Sequence, residues 1–235
     1  NNLALPLYRN GVKVLGTNPK DIDRAEDRNA FSALLDRLGI DQPPWAQLST
    51  KEEAAKAAEK LGYPVLVRPS YVLSGAAMSV AFSEESLMRY LERATTASSD
   101  HPIVISKFVE NAREIEIDGV ANKGKLVIYA ITEHIENAGT HSGDATVVLP
   151  AQKTYLETVR RAKEIAKAVA KELKITGPFN IQFLAKENRL QVIETNVRAS
   201  RSFPFVSKVA GQNFIDIATK AILGKDVPTP NGSLD

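Results

Sequence analysis

Apolar residues recur at helical spacing in several stretches of the chain and at strand spacing in the others. Phe31, Leu34, Leu35 and Leu38 form one stripe and predict a helix that begins near Asp23 and stops at Gly39. After Pro43-Pro44-Trp45, the run Ser49-Thr50-Lys51-Glu52-Glu53 holds a capping box, either Ser49 with Glu52 or Thr50 with Glu53. The alanine-rich helix that follows ends at Leu61, with Gly62 and Pro64 closing it. A third helix is predicted over 84–94 and a closing one over 214–223. Val159, Ala162, Ile165, Val169 and Leu173 place one apolar face on a long helix over 154–173.

The strand-like stretches are shorter. Residues 64–68, 77–82 and 103–105 read as strands around the third helix, so that 62–109 forms a small lid lobe. Glu114-Ile115-Glu116-Ile117-Asp118 alternates with period two, as a half-exposed strand does. A turn at Asn122-Lys123-Gly124 leads to a strand over 126–133, and 179–185 pairs with 189–196 in a hairpin around Lys186-Glu187-Asn188. These belong to a larger lobe over 110–224. Residues 1–22 read as the remnant of a preceding α/β domain, with a helix end at Leu3-Ala4-Leu5-Pro6-Leu7 and a short strand at Val12-Lys13-Val14-Leu15-Gly16. Residues 225–235 read as a tail. With no initiator Met and no basic, apolar leader, the chain is expected to be cut from something longer.

Composition narrows the function classes. The 235 residues are 43% hydrophobic and 25% charged, with a net charge of +2, an ordinary globular balance. There is no clustered basic stripe with interleaved aromatics, so nucleic acid is not an expected partner. No apolar run is long enough to span a bilayer, so neither is a membrane. The absence of cysteine removes disulfides, zinc thiolates and thiol nucleophiles, and three scattered histidines give no zinc site.

One segment concentrates the chemistry. Glu194 and Asn196 stand two apart on a predicted strand and so share a face, and Gln182 joins them if the hairpin register permits. Hard oxygen donors of this kind suit Mg²⁺ bound to a nucleotide. Leu190 and Val192, read on the same face, predict that these polar groups are buried and therefore partnered. Arg198 and Arg201 follow, next to the apolar run Phe203-Pro204-Phe205-Val206; their guanidinium forks suit phosphate oxygens. Arg68 ends a strand and leads into the small-residue loop Pro69-Ser70-Tyr71-Val72-Leu73-Ser74-Gly75-Ala76-Ala77, which lets backbone N–H groups approach phosphate or is a plain hairpin loop. His141-Ser142-Gly143-Asp144 follows Asn137-Ala138-Gly139, and the imidazole there can bond a transferring phosphoryl group or a small carboxylate. Glu114 can cap, pair with Arg113, or bind a ribose hydroxyl.

These stretches closely resemble the ATP-grasp domain in the C-terminal half of the carbamoyl phosphate synthetase large subunit, eukaryotic type. The matching runs are Asp23-Arg24-Ala25-Glu26-Asp27-Arg28, Val67 through Gly75, Glu133 through Asp144, and Glu194 through Lys208. The resemblance implies an α+β, ATP-grasp fold whose two lobes hold ATP between them. By position it implies phosphate- and carbamate-side contacts at Arg28, Arg68 and His141, and loop contacts at Ser74, Gly75 and Ser142. It also implies a ribose contact at Glu114, adenine against the backbone from Lys107 to Val109, and further phosphate-side arginines at Arg198 and Arg201. Gln182, Glu194 and Asn196 match ligands of Mg²⁺ or Mn²⁺, and a K⁺ ion near Glu114 and His134 is in keeping with the family. Ser74, Ala76 and Lys107 depart from the bacterial pattern of Gly, Arg and His.

The implied reaction is phosphorylation of carbamate by MgATP, a step of pyrimidine synthesis, arginine synthesis or the urea cycle, in the cytoplasm or the mitochondrial matrix. The implied partners are the other synthetase domains, including the bicarbonate half and the glutaminase, and an isolated half is expected to self-associate as a dimer. Two rivals stand beside this reading. One is the paired half that phosphorylates bicarbonate, which the wording of 69–73 and 141–144 disfavours. The other is a nucleotide-binding module that is inactive without its partner domains.

Overall fold

Strand order is the organising feature of the computed structural model, which describes residues 3–48, 50–69, 78–97, 103–140 and 144–227. In chain order the elements are α1 (Ala4–Arg9), α2 (Pro19–Glu26), α3 (Arg28–Arg37), β1 (Trp45–Leu48), α4 (Lys51–Leu61), β2 (Val65–Pro69), β3 (Ser79–Ala81), α5 (Glu84–Ala97), β4 (Ile103–Lys107), β5 (Arg113–Asn122), β6 (Lys125–Asn137), β7 (Val147–Val148), α6 (Leu156–Glu172), β8 (Gly177–Lys186), β9 (Arg189–Asn196), α7 (Phe203–Ala210) and α8 (Phe214–Ile222). The chain divides into two units, residues 26–110 and residues 1–25 with 111–235.

The unit of residues 26–110 carries a four-stranded antiparallel sheet in the order β1-β4-β2-β3. Its core joins Leu48, Ala54, Ala58, Val65, Val67, Ala81, Leu87, Leu91 and Ile105, packing α4 and α5 on the sheet. Thr50 caps α4: its side chain accepts from the Glu53 N–H, and the Glu53 carboxylate accepts from the Thr50 N–H. The small lobe read from 62 is thus part of a unit that begins near Glu26. The reason is β1, an edge strand paired with β4, and α3, whose Asp36 accepts from Trp45 Nε1 of β1. Nothing in the local pattern of Trp45–Leu48 marks a strand; its ladder partner lies about sixty positions away.

The second unit carries a five-stranded antiparallel sheet, β7-β6-β5-β8-β9. Two-residue turns link its long strands. Lys123 and Gly124 join β5 to β6 with φ of 50° and 79°, and Glu187 and Asn188 join β8 to β9 with φ of 49° and 63°. Such left-handed pairs match the twist of a hairpin. On one face, α6 buries Ala162, Ile165, Ala166 and Val169. Phe203 of α7 and Phe214 of α8 meet edge to face, 6.0 Å apart, in a core with Val120, Ile128 and Ala130. Residues 1–25 join this unit through Arg24, which donates to Glu172 at 3.0 Å, and through the Thr176 N–H, which donates to Thr17 Oγ1 at 2.9 Å.

Two local expectations fail. The predicted strand at 12–16 is irregular, having no sheet edge to pair with, and only the helix before it forms, as α1. The helix predicted from Asp23 is broken in two: Asp27 leaves helical geometry and its carboxylate accepts from the Ala30 N–H, ending α2 and capping α3.

Candidate functional site

Polar side chains gather on one sheet face, continuous with the Val120, Ile128 and Ala130 side chains that pack against α8, and register puts them there. Gln182 of β8 lies directly opposite Glu194 of β9, and Asn180 opposite Asn196. On the other side of β8, Gln182 lies opposite Glu116 and Asn180 opposite Asp118. Directly opposed residues in an antiparallel pair share a face. Glu114, Glu116, Asp118, Asn180, Gln182, Glu194 and Asn196 therefore form one patch, while Ile115, Ile117, Phe179, Ile181 and Phe183 fill the apolar side.

The patch exists because β9 carries a bulge. Gln182 opposes Glu194, but the next residue, Phe183, opposes Val192, so Ile193 is the extra residue. Leu190 and Val192 consequently share the core face with Ala185 and Phe183, not the face of Glu194. The expectation that Val192 and Glu194 lie on one face is corrected: strict alternation would have sent either the metal-type ligands or the core leucine and valine to the wrong side. Gln182, Glu194 and Asn196 are half-buried. Asn196 Nδ2 donates to Glu194 Oε1 at 3.0 Å, and Arg198 donates to Asn196 Oδ1 at 3.4 Å.

Beside them β5 is buried almost throughout, where alternation predicted a half-exposed strand. Being the central strand of the sheet, it has neighbours on both edges. Its carboxylates are satisfied internally. His134 Nε2 lies 3.1 Å from Glu116 Oε1, and His134 Nδ1 lies 3.9 Å from Glu114 Oε2. Asn180 Nδ2 donates both to Glu116 Oε2 at 3.0 Å and to Asp118 Oδ1 at 2.9 Å. Burial pushes the Glu114 carboxyl up to about 7, with Glu116 and Glu194 adding to the rise and His134 opposing it. Burial works against the His134 imidazolium, but the bond to Glu116 and the charge of Glu114 raise it above its ordinary value. Thr132, opposite Glu116, keeps a buried hydroxyl with no partner among the described residues.

Of the residues singled out in the sequence, this face brings together Glu114, Gln182, Glu194 and Asn196, and Arg198 follows at its edge. Arg201 is exposed three residues on. Arg28, Arg68, Lys107 and Val109 belong to the other unit. Arg68 is buried there, Arg28 donates to Met78 Sδ at 3.7 Å, and Lys107 Nζ donates to the carbonyls of Gly62 and Tyr63 at 2.9 and 2.8 Å. The Lys107 ammonium thus serves its own backbone. Ser74, Gly75, His141 and Ser142 lie outside the described residues. Arg113 pairs with Glu133 at 3.2 Å rather than with Glu114. Glu116, Asp118 and Asn180 were not selected from sequence; the period-two run of carboxylates opposite isoleucines was the available signal.

Chemically, the Gln182–Glu194–Asn196 trio is an all-oxygen donor set fit for Mg²⁺. Glu114, Glu116 and His134 form a second, buried group whose ligand atoms all lie within 4.8 Å of one another. Among the described residues no helix is long and apolar enough to cross a membrane.

Comparison with known proteins gives the family and the fold. Residues 27–229 match the family model described as carbamoyl-phosphate synthase L chain, ATP binding domain. The chain is 58% identical over 236 residues to the arginine-specific mitochondrial carbamoyl phosphate synthase large chain of Neurospora crassa, covering 97% of this chain and 20% of that protein. It is 55% identical over 227 residues to the mitochondrial carbamoyl-phosphate synthase [ammonia] of Rattus norvegicus, covering 97% of this chain and 15% of that protein. The chain thus spans a fifth or less of these relatives. Among solved structures it resembles the biotin carboxylase–βγ-ATP complex of Campylobacter jejuni, with a TM-score of 0.85 at 23% identity over 97% of this chain and 52% of that one. It also resembles the biotin carboxylase domain of the Hydrogenobacter thermophilus 2-oxoglutarate carboxylase, solved with MgADP and bicarbonate, with a TM-score of 0.83 at 23% identity over 95% and 51%. The fold is ATP-grasp, of mixed α+β class.

Proposed function

The chain belongs to the carbamoyl-phosphate synthase large-chain ATP-binding family, an ATP-dependent ligase family, and from that membership we propose that it phosphorylates carbamate with ATP. The observation that carries this reading is the Gln182–Glu194 pairing, with Asn196 beside it and Arg198 and Arg201 directly after.

Carbamate oxygen attacks the γ-phosphorus, the bond to the β–γ bridging oxygen breaks, and ADP leaves. Gln182, Glu194 and Asn196 would hold Mg²⁺, which supplies charge neutralisation on the phosphate oxygens. Mn²⁺ suits the same oxygen donors. Arg198 and Arg201 bind and orient the phosphoryl group that moves, their positive charge offsetting what its oxygens gain. Glu114 holds the ribose through a hydroxyl that donates to it. Arg28, Arg68, His141, Ser74, Gly75 and Ser142 contact the phosphate and carbamate side, and the backbone from Lys107 to Val109 meets adenine. K⁺ fits the Glu114–Glu116–His134 group, two carboxylates whose mutual repulsion a monovalent cation relieves.

The wording of residues 69–73 and 141–144 supports carbamate over bicarbonate as the acceptor. Two assays on one preparation test this: ATP formation from carbamoyl phosphate and MgADP, and bicarbonate-dependent ATP hydrolysis. The first exceeding the second supports the carbamate reading; the reverse order contradicts it. As in its longer relatives, other synthetase domains are the proposed partners, and self-association of the isolated chain is read directly by its sedimentation.

A further inference from the structure

Asp118 has no exposed surface, and nothing above assigns it to nucleotide or metal. Its carboxylate nevertheless collects three donors. Asn180 Nδ2 reaches Oδ1 at 2.9 Å, Ser200 Oγ reaches the same oxygen at 2.6 Å, and Ser202 Oγ reaches Oδ2. The two serine hydroxyls also lie 2.8 Å apart. Burial pushes this carboxyl up from its ordinary range even though all three donors oppose the rise.

The serines bracket Arg201, and Ser200 stands two residues beyond Arg198. The irregular segment 197–202 is held at one end by the β9 ladder and at the other by Phe203, which is fully buried against Phe214. Between these ends Ser200 and Ser202 both bond inward to one group, the Asp118 carboxylate, while Arg198 and Arg201 stay exposed. Two side chains pulled inward on either side of Arg201 fix the backbone from which its side chain projects. Asn180 extends the chain of bonds from Asp118 to Glu116 and so to His134.

We propose that Asp118 is a positioning residue for the phosphate-side arginines, acting through Ser200 and Ser202; the inference rests on the reading of Arg198 and Arg201 as phosphate contacts. Small displacements of such groups are costly, since a misplacement of about 1 Å can cost roughly 100-fold in rate. The test compares the wild-type chain with Asp118→Asn, with Ser200→Ala/Ser202→Ala, and with all three changes together, in ATP formation from carbamoyl phosphate and MgADP. The expected result is a kcat roughly 10- to 100-fold lower in each. KM for MgADP should stay within about twofold, and the triple variant should be no worse than either parent, because both act through one contact. A purely structural role would instead lower the amount of folded protein while leaving kcat per folded molecule unchanged. Should Asp118→Asn fail to fold, the serine pair carries the test, since it leaves the buried carboxylate in place. A folded serine variant with wild-type kcat overturns the proposal. A wild-type chain that forms no ATP contradicts the phosphoryl-transfer reading instead. Backbone hydrogen exchange over 198–203 then decides the anchoring, with faster exchange in the variants supporting it and unchanged exchange overturning it.

Discussion

Gln182 and Glu194 face each other directly across the β8–β9 hairpin, while the neighbouring pair, Phe183 and Val192, faces the core. One extra residue, Ile193, stands between Val192 and Glu194 on β9, and both placements hold because it is bulged out of the ladder. Removing Ile193 makes Val192 and Glu194 adjacent, so Gln182 still opposes Glu194 and Phe183 still opposes Val192, now in an uninterrupted ladder with every face kept. The deletion is therefore expected to keep MgADP binding by calorimetry, as is Ile193→Val; loss of binding in the deletion alone would show that the bulge itself, and not only the faces it reconciles, shapes the site.

Asn196 supports Glu194 through its 3.0 Å bond and, in the proposed site, would offer its own carbonyl oxygen to the cation. Asn196→Ala is expected to raise the Mg²⁺ concentration for half-maximal activity by about 10-fold or more, as loss of a ligand or of its orienting partner does. Titrating Mg²⁺ at saturating ADP measures it.

Stability should fall as pH rises through neutrality. Glu114 holds its proton up to about 7 in the folded chain, against 4.5 for its ordinary value, so between these pH values the folded state binds more protons than the unfolded one. His134 is also raised, and its contribution, present below about 6.5, is likewise lost as pH climbs through its folded-state value. Both slopes have the same sign. The Glu114 share is at most about 3 kcal/mol, from 1.36 kcal/mol per unit. Denaturant unfolding of the metal-free chain between pH 5 and 8 should show the decline, and Glu114→Gln should flatten it.

Lys107→Ala is expected to act on the fold more than on the nucleotide. Its ammonium satisfies the Gly62 and Tyr63 carbonyls, and leaving them unpaired costs on the order of 1–3 kcal/mol. Thermal unfolding should register the loss, while KM for MgADP should stay within about twofold if, as proposed, adenine meets the backbone there and not the side chain.

Gly119 follows Asp118 on β5 and lies over the Phe179 ring, where an added Cβ would sit 2.8 Å from two ring carbons. Gly119→Ala is expected to destabilise the chain by roughly 1–3 kcal/mol through overpacking. A shift of about 2–4 °C per kcal/mol in the melting curve checks it.

Local signals made much of this legible. The Thr50–Glu53 box, the α6 stripe and the Lys186-Glu187-Asn188 turn are properties of neighbouring residues, and the shared face of Glu194 and Asn196 followed from their spacing of two. What escaped was set at a distance. β1 exists only because β4 lies beside it, and the strand read at 12–16 fails because no edge meets it. The bulge at Ile193 is a register property that no alternation rule contains. Glu116 and Asp118 looked like the wet side of a strand; their burial follows from the central place of β5, with Asn180, Ser200 and Ser202 arriving from tens of positions away.

The most direct measurement is ATP formation from carbamoyl phosphate and MgADP by the wild-type chain and by Glu194→Ala, with the melting temperature of each. ATP formed by the wild type and lost in the variant at an unchanged melting temperature is the predicted result. A folded Glu194→Ala chain that forms ATP at the wild-type rate would contradict the assignment of the Gln182–Glu194–Asn196 face as the metal–nucleotide site.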